Sequence, residues 1–258
     1  MNITAILRIK DEALIIKECL AKLSGLVDQI VILDNGSTDG TSDIYKEFPK
    51  ITKILHTVGY DEGRDKIMLL EEAKNLKSDW ILWIDGDEVF EDHLTRDVLD
   101  KYINSGYDRV TFRMCNFWLN RELCRYDGNY YLYTLHPQRS MWRNSGLEYF
   151  KNQKMHNGDI QGDFKKIYLS PYRIKHYGYS FRSKAEQKYR NYLKEDPNST
   201  RDYTILSNPD YPAKTFKFVE FDNRSINYFY VLFYKYLCGF LWVTLRVRFK
   251  LSKILGLN

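Results

Sequence analysis

The sequence has little of what marks a disulfide-stapled or zinc-dependent domain. Its four cysteines are scattered over 258 residues, and no two of them form a Cys-x-x-Cys pair. This spacing argues against a cysteine zinc site and a redox motif, and it is typical of reduced thiols in a cytosolic protein. The chain also lacks internal repeats and low-complexity tracts, which excludes a solenoid and a disordered linker protein.

Signals for secretion and for nucleic-acid binding are missing as well. No basic stretch followed by a long apolar one opens the chain, so we expect no signal peptide and a cytoplasmic location, with the inner face of the membrane as the alternative. The net charge of +5 suits an anionic ligand or a lipid surface and does not indicate nucleic acid. Hydrophobic residues make up 44% of the chain and aromatic ones 16%, which predicts one substantial folded core.

The most informative stretch is residues 80–88, with the sequence WILWIDGDE. Its apolar run is short and rich in β-branched and aromatic side chains, so it predicts a strand buried on both faces. The acids then lie at the carboxyl end of that strand, the edge at which open α/β sheets bind ligands. Asp85 and Asp87 can both reach one divalent cation, Mg²⁺ or Mn²⁺, or a ribose and its phosphates. Gly86 between them lets the backbone turn sharply.

The residues before this strand alternate between strand and helix patterns. We predict strands at 2–9, 29–33 and 51–56 and helices at 11–24 and 64–76. Such alternation predicts an α/β fold with a mostly parallel sheet and helices on both faces. Right-handed crossovers point the carboxyl ends of parallel strands the same way, so Asp34 and Asp85 are expected to face one cleft.

The alternation breaks after residue 88, and the chain is divided into residues 1–200 and an extension of residues 201–258. In the first part we predict helices at 91–103 and 182–195, strands at 107–119, 130–140 and 174–177, and a loop at 144–162. The extension is expected to contain an apolar helix.

These motifs together resemble family 2 glycosyltransferases, whose nucleotide-sugar domain has the GT-A fold. Residues 34–41 (DNGSTDGT) and 84–88 (IDGDE) resemble the two main motifs, and residues 9–12 (IKDE) resemble the family's Lys-Asn-Glu with Asp11 in place of Asn. Residues 174–179 (IKHYGY) and the Lys- and Tyr-rich helix behind them resemble the subset that includes lipopolysaccharide-core glucosyltransferases. The resemblance covers the chain from residue 2 to residue 195.

The resemblance implies roles for residues at the donor. Asp34 would accept a hydrogen bond from the base of the nucleotide, and its alternative role is a turn cap. Arg64 would steady the nucleotide or the acids beside it, and otherwise is a surface arginine. Asp85 would approach the donor ribose or the metal. Arg182 and Lys184 would cover the diphosphate, and their alternative is a solvated helix face.

The resemblance also implies a metal and a mechanism. Asp87 would ligate Mn²⁺ or Mg²⁺ directly, and His176 falls where many such enzymes supply a further ligand. The acceptor hydroxyl would attack the anomeric carbon with inversion, while the metal neutralises charge on the leaving diphosphate. The donor would be a nucleoside-diphosphate sugar, with a UDP-sugar favoured, and the product a cell-surface glycan or lipopolysaccharide.

The catalytic base is not named by a clean motif. Related enzymes carry His-Glu or a lone acid after the middle strands, and here residues 155–159 read MHNGD, with Asn where Glu is expected. The candidates are therefore Glu148, Asp159 and Asp163, with the first two preferred. Without a positioned base the protein would be a weak or inactive transferase.

The apolar stretch from Ile226 to Leu245 is followed by basic residues up to Lys253. It just reaches the length of a membrane span, but its many Tyr, Asn, Lys and Thr positions make it a poor one. Two alternatives stay open: an amphipathic helix in peripheral contact with the membrane, or a helix packed on the domain or at a dimer interface. A glycan or lipid-linked acceptor at the membrane would explain a helix in peripheral contact with the membrane.

Two other function classes compete with the transferase. A nucleotidyltransferase is expected to hold triphosphate on a glycine-rich basic loop after its first strand, and residues 8–12 (RIKDE) contain no glycine. A non-catalytic sugar- or partner-binding module on the same fold is favoured by the missing base. The presence of Asp34, Asp85, Asp87 and His176 together argues against such a module.

Overall fold

The computed structural model describes residues 1–126, 137–155, 158–197, 203–208 and 213–221. The strands are β1 Ile3–Ile9, β2 Gln29–Asp34, β3 Ile51–His56, β4 Trp80–Asp85, β5 Glu88–Phe90, β6 Arg109–Phe117, β7 Leu123–Arg125, β8 Pro137–Arg143, β9 Ile167–His176 and β10 Thr215–Lys217. The helices are α1 Ile16–Ser24, α2 Thr41–Ile44, α3 Glu62–Asn75, α4 Arg96–Asn104 and α5 Arg182–Glu195, with short 3₁₀ turns at Tyr45–Glu47 and Thr204–Leu206.

The first half of the fold is a parallel sheet in the order β3-β2-β1-β4. In its register Ile9 of β1 lies beside Asp34 of β2, and Arg8 lies beside Asp85 of β4. The carboxyl ends of the strands therefore meet at one edge, and the acids that end β2 and β4 are there together. This confirms the predicted α/β fold with its mostly parallel central sheet.

The second half extends the sheet with strands of both directions. β8 pairs antiparallel with β4 and with β6, and β6 pairs parallel with β9. β9 also pairs antiparallel with β5, which sets His176 directly opposite Glu88. In the register of β6 with β9, His176 lies opposite Asn116. The pairing of β9 thus carries a histidine from late in the chain to the end of β4.

Burial of β4 holds the two halves together. The side chains of Trp80 to Ile84 are at most 2% exposed. Trp83 packs against Leu69 of α3, and the same core includes Ile6, Val31, Trp142 and Phe150. A strand buried on both faces reads as a continuous apolar run, which is why this element was predictable from sequence. Burying side chains of this size stabilises the fold by about 1.5–3 kcal/mol each.

Several element boundaries differ from those predicted, and helix α4, for example, begins at Arg96 and not at residue 91. Helix α1 begins at Ile16 and not at residue 11, because Asp11 has a φ of 52° and its N–H bonds to Ser37 Oγ. The N–H of Glu12 bonds to Thr41 Oγ1, so residues 11 and 12 belong to a loop fixed by the turn after β2. β9 begins at Ile167 and not at residue 174, because its whole length pairs along β6.

Residues beyond the predicted domain limit at position 200 still contribute to the sheet. β10 pairs antiparallel with β7, and all the elements named above belong to one compact unit, Met1–Val219. A second unit, Glu220–Asn258, lies almost wholly outside the described residues, and so does the predicted helix from Ile226 to Lys253. Among the helices that the structure describes, none is both long and apolar enough to cross a bilayer. The division of the chain at residue 200 stays a prediction.

Candidate active site

Arg139 joins two of the three carboxylates at the end of β4. Its guanidinium donates to Oδ2 of Asp85 at 2.6 Å and to Oε2 of Glu88 at 2.7 Å. Glu88 is fully buried, and burial raises its pKa against the opposing charge of Arg139. The guanidinium also lies 4.2 Å from the ring centroid of Trp83. In the described part of the chain Oδ1 of Asp85 is buried and has no hydrogen-bond partner.

Two nitrogen groups meet on one oxygen of Asp87. Nζ of Lys188 donates to Oδ2 at 2.6 Å, and Nε2 of His176 lies 3.2 Å from the same atom. Burial alone would raise the pKa of Asp87, but Lys188 and His176 hold it well below its usual range. Burial disfavours the ammonium of Lys188, but the contact with Asp87 raises its pKa. Asp87 is therefore a full negative charge at neutral pH, although it is only 5% exposed.

Asn116 determines how His176 faces this carboxylate. The amide oxygen Oδ1 of Asn116 lies 2.6 Å from Nδ1 of His176, and an amide oxygen can only accept a hydrogen bond. Nδ1 therefore donates to Asn116, and Nε2 is the ring nitrogen that faces Oδ2 of Asp87. A ring nitrogen and a carboxylate oxygen that face one another in this way could both ligate one cation.

Gly178 has no side chain and so lets these groups lie close to its backbone. A Cβ at Gly178 would clash with Nζ of Lys188 and Oδ2 of Asp87 and would lie 2.7 Å from Nε2 of His176. Asp87, His176 and Glu88 also offer ligand atoms that lie within 4.8 Å of one another. Glu88 is already bonded to Arg139, so Asp87 and His176 are the better ligands. A set of one oxygen and one nitrogen suits Mn²⁺ well and Mg²⁺ less well, and the residues present fit such an ion.

Lys184 points inward, onto the loop that follows β1. Its Nζ lies 2.9 Å from Oε2 of Glu12 and donates to the carbonyl oxygen of Asp11. Burial and the charge of Asp87 raise the pKa of Glu12 to about 8, against the opposing charges of Lys188 and Lys184. Lys184 is only 6% exposed, so it anchors α5 to the first loop and is not on a solvated helix face. Its predicted contact with the diphosphate stays a prediction.

Asp34 is occupied by its own turn. Oδ1 accepts from the backbone N–H of Ser37 at 2.6 Å, and Oδ2 accepts from the hydroxyl of Tyr45 at 2.8 Å. The side chain is buried, and burial together with Asp34 raises the pKa of Tyr45. These are the contacts of a turn cap, the alternative role given to this residue, and its contact with a nucleotide base stays a prediction.

Arg64 steadies an acid next to it. Its guanidinium pairs with Oδ1 of Asp65 at 2.7 Å and donates to the carbonyl oxygen of Gly59 at 2.9 Å. Asp65 in turn accepts from the hydroxyl of Thr57 at 3.2 Å. Arg64 thereby fixes the loop between β3 and α3. Arg182 is placed differently, because it is exposed and pairs with Glu186 on its own helix.

The structure does not bring Glu148 to the acidic edge. Its carboxylate accepts from the backbone N–H and the hydroxyl of Ser145, and its carbonyl oxygen accepts from Lys74. Lys74 lies at the end of α3, and the chain reaches Glu148 from Arg143, which pairs with the first residue of β4. Glu148 therefore lies toward the amino end of β4, the end opposite to Asp85.

Asp159 lies closer to the site than the other two candidate bases. Its Oδ2 accepts from Arg109 and Ser140 at 2.5 Å, and its charge acts on Arg139. Asp163 is exposed and pairs with Lys165. His156 and Asn157 of the MHNGD segment are outside the described residues.

Four residues of this site were not found from sequence: Asn116, Arg139, Gly178 and Lys188. Asn116 left a signal, because it is a polar residue within an apolar strand pattern. Lys188 left a weaker one, the spacing of one helical turn from Lys184. Arg139 and Gly178 had no signal beyond their residue type, since only the register of β8 and the turn after β9 bring them to the acids.

The family is decided by comparison with known proteins. The model of the family described as Glycosyl transferase family 2 matches residues 4–165. The chain belongs to glycosyl transferase family 2.

Individual relatives are more distant. The TPR repeat-containing protein Synpcc7942_0270 of Synechococcus elongatus is 35% identical over 85 residues, which is 31% of this chain and 19% of that protein. The chain is similar to the crystal structure of S. aureus TarS, with 15% sequence identity and a TM-score of 0.47. The match covers 80% of this chain and 41% of the TarS chain. The chain is also similar to the structure of a shorter TarS chain in complex with UDP-GlcNAc, with 15% sequence identity and a TM-score of 0.46. That match covers 80% of this chain and 69% of the shorter TarS chain. The chain thus spans 19% of that curated relative and 41% of the longer TarS chain.

Proposed function

We propose that this glycosyltransferase moves a sugar, with inversion, from a nucleoside-diphosphate sugar to an acceptor hydroxyl and depends on Mn²⁺ or Mg²⁺. The observation that carries the proposal is the convergence of Asp87 Oδ2 and His176 Nε2 on the space beside Gly178. This convergence lies at the carboxyl edge of the parallel strands, where α/β folds bind nucleotides. A UDP-sugar is the donor we favour, and a glycan or lipid-linked hydroxyl the acceptor.

The residues of the chain have distinct parts in this proposal. Asp87 and His176 would hold the divalent cation, which would supply Lewis-acid stabilisation of the leaving diphosphate. Asp85 would offer its unbonded Oδ1 to the donor ribose or to the cation, while its other oxygen accepts from Arg139. Groups held in place in this way stabilise a transition state because they need not reorient when negative charge develops on the leaving group.

Asp159 is the candidate base that we retain. It lies near Arg139, whereas Glu148 lies toward the other end of β4. Since Asp159 is paired with Arg109, that ion pair must open before the carboxylate can take a proton from the acceptor. We place the reaction in the cytoplasm, at the inner face of the membrane where the acceptor is lipid-linked, and in the synthesis of a cell-surface glycan or lipopolysaccharide.

The test is a thermal-shift screen against UDP, GDP, dTDP and CMP, each with and without Mn²⁺. A ligand that binds only the folded state raises the melting temperature in proportion to the logarithm of its excess over Kd. One nucleoside diphosphate should raise the melting temperature only when Mn²⁺ is present, and Asp87→Asn should abolish the shift. Asp163→Asn is the matched control, because that carboxylate is exposed. No shift with any nucleotide would contradict the proposal.

A non-catalytic binding module is the second candidate. It is favoured by one observation, that the carboxylates of both Glu148 and Asp159 already accept several hydrogen bonds. Metal-dependent release of the nucleoside diphosphate from its sugar nucleotide would exclude this module. Binding of the sugar nucleotide with no turnover on any acceptor would favour it. Membership of family 2 leaves no support for the nucleotidyltransferase.

A further inference from the structure

Lys188 occupies the carboxylate oxygen that the proposed metal needs. Its ammonium lies 2.6 Å from Oδ2 of Asp87, the atom that also faces Nε2 of His176. A Cβ at Gly178 would clash with all three atoms, so they crowd together beside the Gly178 backbone. The metal ligands and the ammonium therefore share a single site.

A divalent cation and this ammonium exclude each other. Mn²⁺ or Mg²⁺ binds a carboxylate oxygen at about 2.1 Å, and an ammonium that keeps its own bond to the same oxygen would lie within a few ångströms of the ion. Two positive charges at such a distance repel strongly in a buried site, where the effective dielectric constant is low. One of the two must leave Asp87 when the other is bound.

The ammonium of Lys188 has an alternative contact near Asp87, whereas that of Lys184 is held in place. Its side chain is 21% exposed, and its Nζ lies 5.0 Å from the ring centroid of Tyr179, a face that attracts a cation. Lys184, one turn earlier on α5, is held by Glu12 and by the carbonyl oxygen of Asp11. The helix thus stays anchored while the flexible lysine stem can swing.

We propose that Lys188 is a tethered cation that neutralises Asp87 before the divalent ion binds, and that the ion displaces it toward the leaving diphosphate. This inference rests on the proposed metal site at Asp87 and His176. In it the divalent ion and Lys188 compete for Asp87 first and act together on the diphosphate afterwards. Donor-free enzyme would accordingly bind the ion more weakly than its ligands allow.

The test is calorimetric titration of MnCl₂ into the full chain without nucleotide. Lys188→Met removes the competing charge and keeps the length of the side chain, so we expect its Kd for Mn²⁺ to fall about tenfold or more. Lys188→Arg keeps a cation on Asp87 and should bind as weakly as wild type. Lys194→Met on the same helix is the matched control, because Lys194 is exposed, and it should change nothing.

The second measurement is titration of UDP into the Mn²⁺-saturated proteins. Lys188→Met should bind UDP more weakly than wild type, because the displaced ammonium is missing from the diphosphate. Unchanged or weaker Mn²⁺ binding by a folded Lys188→Met variant, with a wild-type circular dichroism spectrum, would overturn the competition. Equal affinity of wild type and Lys188→Met for UDP would overturn the proposed contact of Lys188 with the diphosphate. If neither the wild type nor any variant bound Mn²⁺, the metal site of the proposed function would be wrong, and the inference with it.

Discussion

The hydrogen bond from Nδ1 of His176 to the amide oxygen of Asn116 is 2.6 Å long and joins two neighbouring parallel strands. It holds the imidazole ring in one orientation, with Nε2 turned toward Oδ2 of Asp87. Asn116 is therefore a positioning residue, which acts on the cation through His176. Residues that orient a metal-bound histidine contribute to affinity without touching the ion.

We expect Asn116→Leu to weaken Mn²⁺ binding by about 10-fold to 100-fold, the usual effect of losing such a partner. Asn116→Asp is the matched variant, because its carboxylate also accepts from Nδ1 and should retain most of the affinity. Calorimetric titration of Mn²⁺ into both proteins checks this. Equal affinity of Asn116→Leu and wild type would show that the hydrogen bond does not orient a ligand.

The space beside Gly178 gives a second prediction. Gly178→Ala places a methyl group against Lys188, Asp87 and His176, so it should remove measurable Mn²⁺ binding. The fold should survive at a cost of about 1–3 kcal/mol, the usual penalty for overpacking. Gly158→Ala is the control, since a Cβ there meets open space. Wild-type Mn²⁺ affinity in Gly178→Ala would place the cation elsewhere.

Substitution of the two preferred candidate bases, Asp159 and Glu148, should affect kcat differently. Asp159→Asn should lower kcat by about 100-fold or more if Asp159 takes the acceptor proton. Glu148→Gln should leave kcat unchanged, and it should lower the free energy of unfolding by about 1–3 kcal/mol, because it weakens the buried turn with Ser145. Steady-state kinetics and urea unfolding of both variants check this. A loss of kcat in Glu148→Gln alone would reverse the assignment.

Lys66 gives a prediction about pH. Its ammonium is 1% exposed and lies 3.8 Å from the ring centroid of Trp83, and burial lowers its pKa from 10.5 to about 8 despite the pairing with Glu62. The unfolded chain then binds more protons than the folded one between those two values. The contribution of Lys66 to stability should therefore rise with pH across that window.

The measurement is urea unfolding of wild type and Lys66→Met. The free energy of unfolding of wild type relative to that of Lys66→Met should rise by up to about 2 kcal/mol between pH about 7 and about 9.5. Lys101→Met, at an exposed position, should show no such trend. A pH-independent difference for Lys66→Met would mean that the buried ammonium keeps an ordinary pKa.

The sequence by itself determined the parallel half of this fold. The run from Trp80 to Ile84 can satisfy its backbone and bury both faces only as a central strand, so its end at Asp85 marked the ligand edge. The spacing of the acids at 85 and 87 then indicated a cation. Local pattern sufficed here because each of these features lies within one short segment of the chain.

Only the tertiary structure decided which other residues reach that edge. Asn116 and Lys188 come to Asp87 through the register of β6 and β9 and the packing of α5, which no local pattern encodes. His176, which the family resemblance had indicated, reaches the same carboxylate through the pairing of β9 with β5. The antiparallel register of β8 with β4 carried Glu148 toward the opposite end of β4. Long-range pairing depends on the summed burial of whole strands, and a single polar side chain contributes too little to that sum to reveal its own position.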